Sequence, residues 1–151
     1  MTPTLATDFH AVHALILRAF AGMEGRIDPP SSARDLTPES LAATRGEVWT
    51  LPSRGLLLAC VILTPFPDHL YIGKLAVDPA HQRQGLARAL ISHAETRARA
   101  LGLPELRLQT RVELTENHAT FRALGFTETA RTAHKGYDRP TSITFSKFIF
   151  S

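Results

Sequence analysis

Apolar residues recur at three- and four-residue spacing through Phe9, Val12, Leu15, Ile16, Ala19 and Phe20, and Thr7 or Asp8 stands where it can cap the amphipathic helix they predict. Gly25, Pro29, Pro30, Ser31 and Ser32 then break the pattern, so Gly22 to Leu36 reads as an irregular connection, with a second short helix opening near Thr37 and Pro38. A loop this long is either a binding segment or merely an extended connection, and Arg26 and Asp28 are its obvious polar contacts. After Gly46 the pattern turns to strands, Val48 to Leu51 and Leu56 to Thr64, joined across Pro52 to Gly55. The next strand, Leu70 to Val77, places Tyr71, Gly73, Leu75 and Val77 on one face, and Gly73 inside it predicts a bulge or a close backbone approach.

Asp78 and Pro79 end that strand. A helix starts within Gln82 to Ala87 and runs to Leu101, stopped by Gly102, with an inward stripe of Leu86, Ala89, Leu90, Ala94, Ala98 and Leu101. The following segment alternates, Leu106, Leu108, Thr110 and Val112 against Arg107, Gln109 and Arg111, which predicts a half-buried strand. A short helix over about Asn117 to Leu124 ends at Gly125, and two last strands, Phe126 to about His134 and Ser142 to Phe150, pair across the loop Lys135 to Thr141.

Composition narrows what such a chain can do. At 151 residues, 44% hydrophobic and 21% charged, it is expected to form one soluble domain spanning residues 1–151. It has no apolar run long enough for a membrane span, and Met1 to His10 lack the start of a secretory signal, so a cytoplasmic location is expected. The single cysteine, Cys60, lies in an apolar run and reads as a small buried hydrophobe. A net charge of +3 is too mild to demand nucleic acid. Arg83, Arg88, Arg97, Arg99, Arg107 and Arg111 nevertheless gather in one stretch, where they either attract a phosphorylated ligand or form a solvated face. His10 and His13 have no third ligand near them in sequence, and no metal is expected.

The chemistry concentrates where the strand from Leu70 meets the helix ending at Leu101. Free amides and the positive end of the dipole make a helix start an anion site, and Gly85 and Ala87 leave room for a phosphate among Gln82, Arg83, Gln84, Gly85, Leu86, Ala87 and Arg88. Walker, three-glycine dinucleotide and nucleophile-elbow motifs are all missing. Gln82, Gly85 and Ala87 match in register the turn of the GNAT acetyltransferase superfamily, which the chain therefore resembles. Leu75 to Pro79 before the turn, and Leu124, Gly125 and Phe126 after the second strand and short helix, follow the family's order.

That resemblance implies an α/β (α+β) fold: a mixed, mainly antiparallel twisted sheet with helices on both faces and two central strands splayed apart. It implies acetyl-CoA as cofactor, with the pyrophosphate on the amides from Arg83 to Arg88 and the pantetheine along the edge of Leu75, Ala76 and Val77. The Val77 amide would polarise the thioester carbonyl. The implied activity is direct acetyl transfer to a primary amine of a small molecule or peptide.

Phe121 stands where many family members place a tyrosine that protonates the leaving thiolate, so only its packing role carries over. Asn117 is a pantetheine contact by resemblance or a helix cap by position. An amine must lose a proton before it attacks, which makes a base the more necessary group, and Glu113, Tyr137 and His134 are the candidates, with His118 behind them. Each reads equally as an ordinary solvated or packed side chain. Tyr137, Asp138 and Arg139, with Arg26 and Asp28, could shape the acceptor pocket. Phe121 also keeps open a non-catalytic acyl-CoA-binding module, and a protein-interaction domain that only retains the fold is a third reading. The apolar last strand either completes the core or serves a homodimer.

Overall fold

The computed structural model describes residues 2–149. Seven strands form one sheet in the order β1-β2-β3-β4-β5-β7-β6. They are β1 (Thr4–Leu5), β2 (Glu47–Ser53), β3 (Leu56–Pro65), β4 (Leu70–Val77), β5 (Glu105–Arg111), β6 (Thr127–Thr132) and β7 (Ser142–Phe148). Every neighbouring pair is antiparallel except β4 and β5. Four helices cover the sheet: α1 (Phe9–Phe20) and α2 (Pro38–Ala42) on one face, α3 (Leu86–Ala100) and α4 (Thr115–Ala123) on the other. The expected fold class holds. The two-residue β1 gave no periodic signal and was not foreseen.

Local chemistry accounts for the helix boundaries. Asp8 caps α1, its carboxylate accepting from Ala11 N at 3.0 Å, and Thr37 and Ser40 close a reciprocal capping box on α2. The helices α3 and α4 both stop in a left-handed glycine. Gly102 N donates to Arg99 O and Leu103 N to Ala98 O; Gly125 N donates to Arg122 O and Phe126 N to Phe121 O. Two otherwise unpaired carbonyls are thereby satisfied in each case, with an apolar contact across the stop. For α4 that contact is the edge-to-face pair of Phe121 and Phe126, centroids 6.0 Å apart. The stop of α3 buries Leu103 and turns Leu101 outward, so Leu101 leaves the inward stripe, which is Leu86, Leu90, Ile91, Ala94 and Ala98.

The sheet separates two cores. Against α3 lie Leu51, Val61, Leu63, Ile72, Leu106, Leu108, Ile143 and Phe145; against α1 and α2 lie Val48, Cys60, Ile62 and Ala76 with Val12, Leu15, Ile16 and Leu41. Removing each large side chain from water stabilises the fold by about 2 kcal/mol. Ile143 and Phe145 complete the core, whereas Phe148 is exposed, and Phe150, expected in the last strand, lies outside the described residues.

The strand β4 changes faces midway. Ile72 pairs with Leu63 and Gly73 with Ile62, but Ala76 pairs with Cys60, leaving Lys74 and Leu75 opposite Val61 alone. Lys74 takes the left-handed conformation, φ 49°. The inserted residue reverses the alternation. Tyr71 and Gly73 therefore share the face of α1, while Leu75 and Val77 pack with the core of α3. The expectation of one common face for Tyr71, Gly73, Leu75 and Val77 is corrected accordingly, and the bulge falls one residue beyond Gly73.

Candidate active site

Beyond Ile72 the central strands part. The parallel pairing of β4 and β5 is confined to Leu70 with Leu106, Tyr71 with Arg107 and Ile72 with Leu108. From Gly73 and Gln109 onward the two edges face a gap. Val77 aligns with Ala59 while Asp78 N donates to Leu58 O at 2.8 Å, so the alternation of an antiparallel ladder turns the Val77 amide away from β3 and toward that gap.

A cavity of about 390 Å³ runs through the opening. On the α3 side it is lined by Leu75, Leu108, Thr110, Leu114, Asn117 and Phe121; on the α1 side by Tyr71, Gly73, Lys74, Gln109 and Arg111, beneath the connection from Phe20 to Ser32. One passage thus joins both faces of the sheet. Ala76, expected beside the cofactor, is buried against α1, which leaves only its backbone near the gap.

The turn before α3 supplies an anion site on the α3 side. Gly85 has φ 77°, and a Cβ there would meet nothing within 4 Å. Arg83 is also left-handed, at φ 64°. No acceptor among the described residues is found for the amides of Leu86, Ala87 and Arg88, and Gly85 has no side chain to cap them. Gln82, Arg83, Gln84 and Arg88 are exposed around this turn, and Leu86 is buried beneath it. Open amides, a positive helix end and vacant space suit a pyrophosphate.

The arginine cluster resolves into two groups. Arg97 pairs with Glu47 at 2.6 Å, Arg107 with Glu105 at 2.7 Å, Arg99 with Glu95 at 3.8 Å, and Arg111 donates to the carbonyls of Pro29 and Pro30. Arg83 and Arg88 form no ion pair among the described residues and flank the open amides.

The long connection between α1 and α2 is fastened over the α1 side of the passage. Arg26 pairs with Glu116, and the Asp28 amide donates to Glu113 Oε2 at 3.2 Å. Tyr137 Oη donates to Asp28 Oδ1 at 2.6 Å, and Arg139 reaches Asp28 Oδ2. This bond to Asp28 holds the Tyr137 phenol above its ordinary range. Asp138 takes no part, so the ion pair of the last loop joins Arg139 to Asp28.

These contacts sort the candidate bases. Glu113 and Tyr137 do not line the cavity; both act on the connection at Asp28. Glu113 Oε1 is buried with no hydrogen-bond partner, and its charge partly offsets that of Arg111. His118 is buried under Phe145, with Nε2 on Arg111 O at 2.9 Å, which makes it a satisfied core histidine. His134 alone of the four lines the passage. Its Nδ1 meets Thr141 Oγ1, which also accepts from the His134 amide at 2.9 Å and donates to Thr132 O at 3.4 Å. A ring protonated on Nδ1 fits this contact when the hydroxyl proton is directed at Thr132 O, and that tautomer leaves the Nε2 lone pair free.

Asn117 lies in the first turn of α4, whose cap position is Leu114, so the helix-cap reading falls and the side chain faces the cavity. Phe121 lines the cavity too, braced by Phe126 and Phe145. Burial pushes the Cys60 thiol up to about 12, consistent with an inert side chain. Sequence reasoning missed Lys74, because a lone lysine in an apolar strand carries no motif, and missed the part Arg111 plays in holding Pro29 and Pro30.

A family model described as the Acetyltransferase (GNAT) family matches residues 9–126. The chain belongs to the GNAT acetyltransferase family. It is 30% identical over 105 residues to the ribosomal protein bS18-alanine N-acetyltransferase of Escherichia coli K12, covering 68% of this chain and 71% of that one. The crystal structure of the Escherichia coli ribosomal-protein-S18-alanine N-acetyltransferase superposes with a TM-score of 0.75 at 26% identity, over 98% and 93% of the two chains. Mycothiol acetyltransferase of Beutenbergia cavernae is 35% identical over 140 residues, 84% of this chain but only 44% of that longer protein. A GNAT acetyltransferase from Elizabethkingia anophelis with acetyl-CoA bound shares the fold, with a TM-score of 0.71 at 18% identity over 98% and 97% of the chains. This acetyltransferase is an acetyl-CoA-dependent N-acetyltransferase. No helix among its described residues is long and apolar enough to cross a membrane, and no group of three metal-ligating side chains occurs among them.

Proposed function

We propose that this acetyltransferase passes the acetyl group in one displacement to a primary amine of a small molecule or peptide, with His134 taking the amine's proton. The observation that carries the reading is the place of His134 in the lining of a passage that joins the two faces of the sheet, with Nδ1 held by Thr141 Oγ1. Acetyl-CoA supplies an acyl thioester, already activated toward amines. The amides of Leu86, Ala87 and Arg88, with Arg83 and Arg88, would hold its pyrophosphate, and Asn117 and Phe121 would border the pantetheine on the α3 side. Val77 N would donate to the thioester oxygen as negative charge develops there, a contribution of about 3 kcal/mol in comparable sites. The amine arrives from the α1 side, its nitrogen bonds to the acetyl carbon as the C–S bond breaks, and its proton passes to His134 Nε2. A thiolate leaves without obligatory protonation, so Phe121 is compatible with turnover.

The family's scope supports an acceptor of this kind, since one relative is named for an alanine of a ribosomal protein and another for mycothiol. Use of acetyl-CoA favours a cytoplasmic location. The decisive experiment pairs acetyl-CoA calorimetry with thiol release over amines and peptides, for wild type and His134→Gln. The reading requires binding by both proteins and turnover lost in the variant; a covalently acetylated enzyme in single-turnover work would refute direct transfer.

A further inference from the structure

Two cations line the acceptor half of the passage without an ion-pair partner among the described residues. Lys74 Nζ donates to Ser32 Oγ at 2.8 Å, and Arg111 donates to Pro29 O at 2.6 Å and Pro30 O at 3.1 Å. These neutral acceptors occupy one of the three ammonium donors and two of the five guanidinium donors. Asp28 and Glu113 lie close enough to influence Arg111, but Asp28 is engaged by Tyr137 and Arg139, and Glu113 holds the Asp28 amide. Both cations are half-buried, and partial burial, with the repulsion of Arg111 as the smaller cause, disfavours the charged form of Lys74. The bulge at Lys74 and Leu75 is what brings this ammonium to the acceptor side. The same cavity has an apolar portion of wall in Phe20, Met23 and Ile27, beside the polar Ser32 and Gln109.

We infer that the acceptor carries a carboxylate beside its amine, bound between Lys74 and Arg111, with an apolar side chain against Phe20, Met23 and Ile27; apolar α-amino acids are the simplest molecules of this class. The inference rests on the proposed entry of the amine from the α1 side. The carboxylate would complete the two cations with charge-assisted hydrogen bonds. The same positive field disfavours the ammonium form of the acceptor and so assists loss of its proton to His134.

The test is calorimetric titration of leucine and methionine, and of leucinamide, methioninamide and isoamylamine, into protein saturated with coenzyme A. Thiol-release kinetics on the same compounds run beside it. Wild type is expected to favour the carboxylates by about tenfold or more in affinity and in kcat/KM. Lys74→Gln, which removes the charge and keeps an unbranched polar side chain, is expected to remove that preference and leave coenzyme A affinity and Tm unchanged. Equal binding of amides and amino acids, a preference that survives Lys74→Gln, or no binding of either amino acid overturns the inference. Carboxylates that bind but take no acetyl group are not acceptors, which overturns this inference; acetylation indifferent to the carboxylate overturns it too and leaves the proposed function standing, whereas turnover unaffected by His134→Gln would sink the proposed function alone.

Discussion

Thr141 Oγ1 meets His134 Nδ1 and also lies 3.4 Å from the carbonyl of Thr132. Thr141 is fully buried, so Thr141→Val keeps the volume and deletes the acceptor. The imidazole can then place its proton on either nitrogen, and kcat is expected to fall about tenfold with KM for acetyl-CoA unchanged. His134→Gln removes the base altogether, for an expected loss of about 100-fold or more in kcat. Steady-state kinetics on both variants check the pair, and a His134→Gln enzyme within twofold of wild type would return the base to another group.

Gly85 separates strain from ligand contact. The surroundings leave space for a methyl group, so Gly85→Ala meets only the left-handed backbone, at a cost of about 1 kcal/mol in stability, and should still bind acetyl-CoA. Gly85→Glu sets a carboxylate over the open amides and is expected to weaken binding about 100-fold. Calorimetry distinguishes the two; comparable affinity in both would mean that the cofactor does not use this turn.

Asp28 holds the connection over the passage through Tyr137 and Arg139; Asp28 and Arg139 are exposed and Tyr137 is half-buried. Asp28→Ala should therefore shift stability by no more than about 0.5 kcal/mol while raising KM for the acceptor several-fold. Acetyl-CoA affinity should be unaffected. The Tyr137 phenol, no longer donating to a carboxylate, should ionise at lower pH, which an absorbance titration would register.

Glu105 lies away from the site and supplies a stability prediction. Its carboxylate accepts from Arg107 at 2.7 Å and from Ser146 at 2.9 Å, and the Arg107 hydrogen bond outweighs burial to hold it below the ordinary value of 4.5. A depressed folded value means a contribution complete above 4.5 and lost as pH falls through the folded value. Glu105→Gln should cost about 1 to 3 kcal/mol at neutral pH, and the difference from wild type should shrink on acidification. Urea unfolding at both pH values measures it; a difference independent of pH would mean that the ionised carboxylate is not what matters.

Much of this architecture is legible in the chain because its signals are local. The cap at Asp8, the glycine stops of α3 and α4 and the alternation of β5 each follow from a few neighbouring residues. The cofactor turn is legible for the same reason, since Gly85 and the first turn of α3 are contiguous. The faces of β4 are not, because a period of two carries no mark of an inserted residue, and Gly73 points only to the neighbourhood of the bulge. The different surroundings of Glu113 and His134 are not legible either: both flank the passage in chain order, and only long-range contacts determine that one holds the Asp28 amide and the other lines the cavity. Six arginines crowd the stretch from Arg83 to Arg111, and the partners of Arg97 and Arg111, at Glu47 and at Pro29 and Pro30, lie too far off in the chain for local sequence to mark which cations stay free.

The bulge in β4 gives the sheet the character of a partition with a single doorway. Ahead of the bulge the odd-numbered Tyr71 and Gly73 look into one compartment, and beyond it Leu75 and Val77 look into the other, so a short stretch of backbone borders both. Variation in the walls of one compartment can proceed without disturbing its neighbour, provided the doorway keeps its residue count. Deleting Lys74 alone would restore even alternation with Leu75, Ala76 and Val77 on the faces they already hold, and would take from the doorway both its bulge and its ammonium.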